Sequence, residues 1–375
     1  MERVKSPRVA LIHEALPFIG GAERVLLALL ELFPEAPVYT LVYNRPAFDG
    51  TPLVRRIVVT SFIDRLPGAH RNHRLFVPLY PLAVERFDLS AYDLVISCSY
   101  ASAHGIRPSP GQLHLNYIFT PLRYAWHSYS DFVYQPQFRI GPQGWVLKAL
   151  LAYLRHWDRR ATSRVDSFVA ISQWIAQCVW RAYQRPAEVI YPPVEVERFQ
   201  MEAQRDGYYI LVSRLVAHKR VDLVVEAFNR LRLPLLVVGA GGGYRNLAQM
   251  AGPNVTLLGW QADDQVASLL SQAKALVHAG EEDFGIALVE AQAAGCPVIA
   301  YRGGGASETV IHGKTGLLFP EQSVDCIVDS VLEYERRGNS FSPHELRTNA
   351  LRFDRGRFLR QFEEMVAEAW EKFRG

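Results

Sequence analysis

Short apolar runs alternate with helical patterns along most of this chain, and the alternation occurs in two series. In the first series, a strand-sized apolar run at residues 9–12 precedes a helical pattern at 22–32, and the same order recurs between residues 93 and 183. Parallel strands need crossover helices, so this alternation predicts βαβ units and a parallel sheet. The second series predicts another parallel sheet. Its apolar runs are residues 209–213, 235–239, 255–258, 275–279 and 297–301.

The two series are separated at Pro192 and Pro193. Consecutive prolines favour an extended backbone and prevent helix continuation, so we place a linker at residues 191–199. The chain has 375 residues, which is more than one hydrophobic core usually serves. We therefore expect an α/β protein with an N-terminal domain at residues 1–190 and a second domain at 200–352. An amphipathic C-terminal helix is expected at residues 353–375.

The charge and the cysteine content argue against several classes of protein. A formal net charge of +3 without a dense Lys/Arg run does not suggest nucleic acid binding. The four cysteines lie far apart without a C-x-x-C pair, which argues against a disulfide framework and a zinc knuckle. The first residues lack the apolar core of a signal peptide, and no run reaches the ~18 apolar residues of a membrane span. We expect a cytoplasmic protein that at most rests on the inner face of the cell membrane.

Residues 275–300 carry the most informative pattern, which predicts a strand, a polar loop, a helix, a glycine stop and another strand. The helix is expected to begin near Gly285, where unpaired N–H groups and the positive end of the helix dipole would accept an anion. Glu282 in the loop and Glu290 in the helix could both accept hydrogen bonds from one ligand. The alternative is a solvated acidic loop beside an exposed helical glutamate.

Two further segments follow predicted strands in the same way. Arg214 and Lys219 lie on the loop after residues 209–213, where they form either a surface basic cluster or a pair of fixed cations for an anion. Gly20 and Gly21 follow the first strand and open the helix at 22–32. Taken alone, a Gly-Gly pair before a helix is a common turn.

Glu282 and Glu290, with Phe284 and Gly285 between them, resemble the E-x(7)-E motif of glycosyltransferase family four, the retaining enzymes of the GT-B fold. The run Glu-Glu-Asp-Phe-Gly-Ile at residues 281–286 is similar to the mannosyltransferase-like branch that builds bacterial O-antigen and exopolysaccharide. This resemblance implies two facing Rossmann-like domains. It also implies that the last helix crosses back onto the N-terminal domain, and that the N-terminal domain takes the acceptor.

The resemblance implies roles for residues of the second domain. The first glutamate of the motif would contact the donor sugar, and the second would hold the ribose of the nucleotide. Fixed cations would grip the donor diphosphate, which gains negative charge as the glycosidic bond breaks. The amides at the start of the helix would bind the same diphosphate. The catalytic candidates are Glu282, Arg214 and Lys219, and the donor-binding candidates are Gly285, Ile286, Ala287 and Glu290.

Residues 117–128 resemble a signature of the same branch, written C-H-T-P-M-R-Y-x-W-D. Trp126 is retained, but Phe119 stands where the family carries a histidine that contacts the donor sugar, and His127 stands in place of an aspartate. Three explanations are open: a changed donor, replacement of the histidine by His127 or His114, or a weakened enzyme. With the first-strand loop, which the resemblance places near the donor phosphate or the acceptor, the candidates of this domain are Gly20, Gly21, Arg123 and His127.

Two glycine-rich segments of the second half were also considered. Residues 238–244 lack the full G-x-G-x-x-G pattern and follow a later strand, so we expect a loop beside the nucleotide base and not a dinucleotide site. Residues 302–308 match the family's Gly-Gly-x-x-Glu loop, although the same residues are compatible with a simple turn.

Residues 52–87 mix basic and aromatic side chains, and residues 132–157 add an amphipathic pattern. Such a mixture suits contact with anionic lipid head groups or with a lipid diphosphate acceptor. The alternative is a solvated basic face.

The resemblance implies a retaining hexosyltransferase that moves a mannosyl-like group from a nucleoside-diphosphate sugar, such as GDP-mannose, to a lipid-linked oligosaccharide or glycan acceptor in bacterial surface polysaccharide synthesis. No convincing D-x-D motif is present, so we expect metal-independent transfer without a cofactor. Two alternatives remain open. One is a GT-B sugar-nucleotide epimerase, and the other is a degenerate homologue that binds partners in a polysaccharide-assembly complex.

Overall fold

The protein is described from a computed structural model that covers residues 7–126, 142–202, 207–338 and 340–375. The chain forms two compact units. The first unit comprises Met1–Ile190 and Leu359–Gly375, and the second comprises Tyr191–Phe358. Each unit contains one parallel sheet and its own cluster of buried apolar side chains.

The described residues of the first unit form seven strands: β1 (Val9–His13), β2 (Val38–Thr40), β3 (Val58–Thr60), β4 (Leu94–Ser99), β5 (Leu113–Ile118), β6 (Ser167–Ala170) and β7 (Ala187–Val189). They pair in parallel in the order β3-β2-β1-β4-β5-β6-β7. Strands β4 and β5 are buried along their whole length, as expected for central strands of a sheet covered on both faces.

The α-helices of the first unit mostly connect these strands. The last helix of the chain crosses the boundary between the units, since its residues from Leu359 onward belong to the first unit. In that part, the ring of Phe362 lies 5.8 Å from the ring of Tyr117 in β5. None of the helices in the described part of the chain is long and apolar enough to cross a membrane. The α-helices of the first unit, including the one that crosses the boundary, are Gly21–Leu32, Ala69–Asn72, Tyr80–Val84, Arg123–Trp126, Pro142–Ala161, Gln173–Tyr183 and Arg355–Arg374.

Six strands lie in the part of the second unit that the structure describes: β8 (Tyr209–Val212), β9 (Leu235–Val238), β10 (Val255–Gly259), β11 (Leu276–His278), β12 (Val298–Tyr301) and β13 (Gly316–Phe319). They form a parallel sheet in the order β10-β9-β8-β11-β12-β13. The two parallel sheets agree with the alternation in the sequence. The helices of this unit are Val221–Leu231, Tyr244–Met250, Asp263–Gln272, Ile286–Ala293, Ala306–Thr309, Val324–Arg337 and Pro343–Ala350.

Candidate functional site

The loops after β8 and β11 lie where the strand order of the second sheet reverses. From β8 the chain continues to β9 and β10 on one side, and it then returns to β11 on the other side. In open α/β sheets, ligands bind outside the carboxyl ends of the strands at such a switch point. Lys219 follows β8 and Glu282 follows β11, so the topology brings these two candidate residues to the same place.

The carboxylate of Glu282 is the centre of a largely buried ion pair. Nζ of Lys219 lies 2.7 Å from Oε1 of Glu282, and Nε2 of His278 lies 2.7 Å from the same oxygen. His278 is the last residue of β11, and its side chain is only 2% exposed. The side chains of Lys219 and Glu282 are 13% and 16% exposed. Two nitrogen-bearing side chains therefore hold one oxygen of this carboxylate.

These contacts determine the charge of Glu282. Burial by itself raises the pKa of this carboxyl group, but the positive charge of Lys219 and the contact with His278 act in the opposite direction and outweigh it. The pKa of Glu282 is therefore held well below its usual range, and the group is ionised at neutral pH. An ionised carboxylate acts only as a hydrogen-bond acceptor, which suits the hydroxyl groups of a sugar.

The helix after Glu282 begins where the sequence predicts. Gly285 precedes the helix Ile286–Ala293 with a φ of 94°, a left-handed conformation that glycine adopts without strain. The N–H of Leu288 donates to the carbonyl of Gly285 at 3.0 Å, so Ile286 and Ala287 lie in the first turn, before the regular hydrogen-bond ladder. The start of this helix is thus a place where backbone amides and the helix dipole favour an anion.

A glycine-rich loop after β12 supports the loop that carries Glu282. The N–H of Gly305 donates to the carbonyl of Glu282 at 2.7 Å. A Cβ atom at Gly304 would lie 2.1 Å from that carbonyl oxygen, and one at Gly305 would lie 2.5 Å from Cα of Phe284. The glycines at residues 304 and 305 therefore allow two backbones to approach, and this contact fixes the path of the Glu282 loop.

Glu290 is buried and faces a different cation. Nη2 of Arg198 lies 3.9 Å from Oε1 of Glu290, while Nη1 of the same arginine lies 3.1 Å from Oδ2 of Asp263. Arg198 belongs to the segment that we predicted to be a linker, and it was not among the predicted site residues. No pattern in the sequence relates it to Glu290, because the two residues meet only through the fold. The structure therefore supplies the two glutamates with separate positive groups.

Arg214 lies two residues after the end of β8 and is exposed. Its side chain forms no ion pair with the residues that the structure describes. The backbone on either side of it is supported by the 238–244 segment, since a Cβ at Gly239 would lie 1.8 Å from the carbonyl oxygen of Ser213, and one at Gly241 would lie 2.4 Å from that of Leu215. Gly239 and Gly241 thus serve close packing against the β8 loop.

The first-strand loop of the first unit is closed by local contacts. The N–H of Gly20 donates to Oε2 of Glu23 at 2.9 Å, and Oε1 of Glu23 lies 3.3 Å from Nε2 of His13. The helix then starts at Gly21. Glu14 is fully buried and accepts hydrogen bonds from the backbone amides of residues 101–103, which ties the end of β1 to the loop after β4.

Phe119 lies among aromatic rings at the end of β5. Its ring centroid is 5.5 Å from that of Tyr117, 6.4 Å from that of His13 and 6.5 Å from that of Tyr100. Arg123 is the first residue of the short helix that ends at Trp126. His127 lies outside the described residues. The structure thus surrounds Phe119 with rings and places Arg123 and Trp126 on one helical turn.

The hypothesis that His114 takes the place of the family's histidine is wrong. His114 is fully buried in β5, where Nε2 contacts Oγ of Ser97 at 2.7 Å and Nδ1 contacts the carbonyl of Arg164 at 2.8 Å. Burial lowers its pKa to about 4, so it is neutral at physiological pH. Both ring nitrogens are engaged inside the sheet, and the residue belongs to the core.

Two family models match successive parts of the chain. The family described as Glycosyltransferase Family 4 matches residues 19–198, and the family described as Glycosyl transferases group 1 matches residues 194–352. The chain belongs to the group 1 glycosyltransferases. The resemblance inferred from Glu282 and Glu290 is confirmed.

Curated proteins similar to this group 1 glycosyltransferase match about half of it. An uncharacterized glycosyltransferase of Methanocaldococcus jannaschii is 29% identical over 184 residues, covering 48% of this chain and 52% of that protein. The GDP-mannose-dependent alpha-(1-6)-phosphatidylinositol monomannoside mannosyltransferase of Mycobacterium tuberculosis is 32% identical over 222 residues, covering 51% and 57%. The chain thus spans about half the length of the curated relatives it matches.

The fold of this glycosyltransferase is similar to that of solved structures along nearly its whole length. Anabaena HepE, solved in complex with UDP and glucose, superposes with a TM-score of 0.70 at 18% identity, covering 96% of this chain and 100% of that one. At this level of identity the likeness concerns the fold alone. Together with the two parallel sheets, it confirms the two-domain α/β architecture of the GT-B class.

Proposed function

We propose that this chain transfers a hexosyl group, mannosyl in type, from a nucleoside-diphosphate sugar to a lipid-linked or glycan acceptor. The observation that carries the proposal is the ion pair between Lys219 and Glu282 at the switch point of the second sheet. It places a cation suited to a diphosphate and an ionised carboxylate suited to sugar hydroxyls within 2.7 Å of each other. A donor with a sugar bonded to a diphosphate presents hydroxyl groups and negative charge close together, so a site that combines the two protein groups suits it.

The proposed transfer proceeds with retention of the anomeric configuration and without a metal ion. The bond between the anomeric carbon and the diphosphate oxygen breaks, and the acceptor hydroxyl oxygen forms a bond to the same face of that carbon. The hydroxyl proton passes to the departing phosphate. Arg214, Lys219 and the amides at the start of the helix Ile286–Ala293 stabilise the negative charge that builds on the leaving group.

The names of the relatives support the choice of donor. Mannosyltransferases described as GDP-mannose-dependent occur among them in Mycobacterium tuberculosis and Corynebacterium glutamicum. Glu290, buried beside Arg198, is the group that we assign to the ribose. We infer that GDP-mannose is the donor, and that the acceptor belongs to a bacterial surface polysaccharide such as O-antigen or exopolysaccharide.

A transfer assay tests this proposal. Purified protein is incubated with GDP-mannose or UDP-glucose and a lipid-diphosphate-linked sugar acceptor, with and without EDTA. Extension of the acceptor by an α-linked hexose in both conditions is the expected result. Loss of transfer in EDTA would refute metal independence, and a β-linked product would refute retention.

The same assay separates the two alternative functions. Conversion of the donor to an isomeric sugar in the absence of acceptor would identify an epimerase. Absence of donor binding in a calorimetric titration would favour a degenerate homologue that acts as a binding partner. The retained Arg214, Lys219, Glu282 and Glu290 favour transfer over such a homologue.

We also propose that the first unit rests on an anionic membrane surface, at the inner face of the cell membrane. Leu75 is 75% exposed beside the exposed Arg74, and Trp145 is 77% exposed near the exposed Lys148. Apolar side chains flanked by basic ones suit insertion among anionic head groups. His73 does not contribute charge to this surface, because burial and the nearby Arg74 lower its pKa to about 4.

A further inference from the structure

His278 is a polar residue at a position where the sheet requires an apolar one. It ends β11, an inner strand of the second sheet that pairs with β8 and β12, and the preceding residues of the strand are apolar. Its side chain is 2% exposed. Burying an imidazole costs free energy unless the ring gains a compensating interaction. The interaction that the fold provides is the contact with Glu282.

The two ring nitrogens have different surroundings. Nε2 lies 2.7 Å from Oε1 of Glu282, at an angle outside the range of a well-formed hydrogen bond, and Nδ1 has no hydrogen-bond partner in the described part of the chain. Nε2 is the nitrogen aimed at the candidate site.

Gly280 makes this arrangement possible. A Cβ at this position would lie 3.0 Å from Nε2 of His278 and 2.9 Å from Cα of Lys219. The absence of a side chain lets the imidazole and the β8 loop approach the same carboxylate. His278 at the end of β11 and Glu282 in the loop that follows are therefore brought together across Gly280.

Lys219 and His278 both contact one oxygen of Glu282, but only Lys219 is expected to bind a second anion, the donor diphosphate. Under the proposed function its ammonium also binds the donor diphosphate, whose negative charge competes with the carboxylate. As Lys219 turns toward the diphosphate, Glu282 would become a poorly compensated buried charge, which is strongly unfavourable. His278 is the remaining group within contact distance of Oε1 among the described residues.

We propose that His278 is a positioning residue that holds the Glu282 carboxylate toward the donor sugar while Lys219 binds the donor diphosphate. The proposal rests on the proposed function of this site. It assigns to His278 an effect on sugar recognition alone, exerted through Glu282. The residue does not itself contact the donor.

The test compares binding of a nucleotide sugar with binding of its bare nucleoside diphosphate. GDP-mannose with GDP, and UDP-glucose with UDP, are titrated by calorimetry into the full-length protein and into the variants His278→Phe, His278→Gln and Glu282→Gln. Phenylalanine keeps the volume and removes both nitrogens. Glutamine restores an N–H donor near the position of Nε2, so it serves as the conservative variant.

We expect His278→Phe to lower the affinity for the nucleotide sugar by about tenfold. The affinity for the bare nucleoside diphosphate should change less than about twofold. Glu282→Gln should show the same selectivity, and His278→Gln should recover most of the loss. In the double variant His278→Phe/Glu282→Gln, the loss should not exceed that of Glu282→Gln alone, because the histidine acts through the glutamate. Circular dichroism verifies that each variant is folded.

Two outcomes would overturn the positioning role. If His278→Phe lowered the affinities for the nucleotide sugar and for the bare nucleoside diphosphate equally, the effect would be a general structural one. Multiplicative losses in the double variant would show that His278 does not act through Glu282. By contrast, if the wild-type protein bound neither nucleotide sugar, or if Glu282→Gln bound donor normally, the proposed function itself would fail.

Discussion

The ammonium of Lys219 lies 2.7 Å from Oε1 of Glu282. Lys219 follows β8 and Glu282 follows β11, and these strands are neighbours in the sheet although two strands and three α-helices separate them in the chain. The pair explains how a lysine and a glutamate can both be largely buried, since each compensates the charge of the other. It also means that an incoming diphosphate must share or displace a contact that Lys219 already makes.

Replacement of Lys219 by alanine is expected to weaken nucleoside-diphosphate binding and transfer. We predict a loss in kcat/KM of about 100-fold, because the variant lacks a cation that opposes the growing charge of the leaving diphosphate. The measurements are GDP titration by calorimetry and initial rates of transfer. Lys314→Ala, which removes an exposed lysine from the same unit, is the matched control and should retain wild-type rates. Equal kinetics in Lys219→Ala and Lys314→Ala would refute the diphosphate role.

Glu282 gives the protein a predictable response to acid. Because its folded-state pKa lies below the ordinary value of about 4.3 for glutamate, its charge stabilises the protein at pH above that value, and this contribution is lost as pH falls further, toward the folded-state pKa. We predict that Glu282→Gln lowers the unfolding free energy by about 1–3 kcal/mol at neutral pH. The difference between the wild type and the variant should be constant between pH 7 and about 5 and should shrink only below about 4.

Denaturant midpoints of both proteins at several pH values measure this difference. A wild-type advantage that grows as the pH falls from 7 to 5 would mean that burial raises the pKa of Glu282 and that Lys219 fails to compensate it. Glu321→Gln, at an exposed carboxylate of the same unit, provides the control for a general effect of removing one negative charge.

The sequence predicts the elements that carry the site better than the contacts within it. β8, β11 and the start of the helix Ile286–Ala293 fall within two residues of the predicted positions, because buried parallel strands are continuous apolar runs and Gly285 marks the helix start. β2 and β3 contain three residues each, which is too few for a periodic signal, and neither was predicted. The central strand β5 was not predicted either, so the sequence predicts a parallel sheet in this unit but not all of its strands.

The contacts that escaped sequence reasoning are those made between distant segments. Arg198 reaches Glu290 only because the start of the second unit folds beside the helix Ile286–Ala293. His278 stands at the end of an apolar run, where nothing local distinguishes a core histidine from a site residue. His114 shows the opposite case, since it was considered as a donor contact and is a core residue of β5.

Gly239 is expected to tolerate no side chain. Its φ of 141° and the 1.8 Å that would separate a Cβ from the carbonyl oxygen of Ser213 mean that alanine would push the end of β8 away from β9. We predict that Gly239→Ala lowers the unfolding free energy by more than about 2 kcal/mol. Gly242→Ala is the matched control, because a Cβ at Gly242 meets no atom within 4 Å. Equal urea midpoints for the two variants would contradict the close packing of the β9 loop on the β8 loop.

The exposed apolar residues of the first unit predict membrane binding that depends on lipid charge. The double variant Leu75→Ser/Trp145→Ser should sediment with phosphatidylglycerol-containing vesicles about three- to tenfold less than the wild type, because it buries less apolar surface among the head groups. Trp260 is 73% exposed in the second unit, so Trp260→Ser controls for the loss of an exposed tryptophan. Equal sedimentation of all three proteins, or binding that is the same on neutral phosphatidylcholine, would refute the proposed surface.

Asp158 is a buried carboxylate of the first unit whose loss should destabilise the fold. It is fully buried, it accepts a hydrogen bond from Nε1 of Trp126 at 2.7 Å, and its other oxygen lies 3.1 Å from Nε2 of His104. We predict that Asp158→Ala lowers the unfolding free energy by about 3 kcal/mol, since it leaves two buried nitrogens without this partner.

Asp158→Asn should lower the unfolding free energy less than Asp158→Ala does, because the amide oxygen of asparagine can still accept a hydrogen bond from Trp126. Asp49→Ala, at an exposed aspartate of the same unit, should leave the unfolding free energy from urea titration within about 0.5 kcal/mol of the wild type. If asparagine and alanine at residue 158 had equal effects, the bond to Trp126 would not be what holds this part of the signature segment in place. If the unfolding free energy fell in the order aspartate, asparagine, alanine at residue 158, the hydrogen bond from Trp126 to Asp158 would be shown to stabilise the first unit. The retained tryptophan of residues 117–128 would then have a structural role.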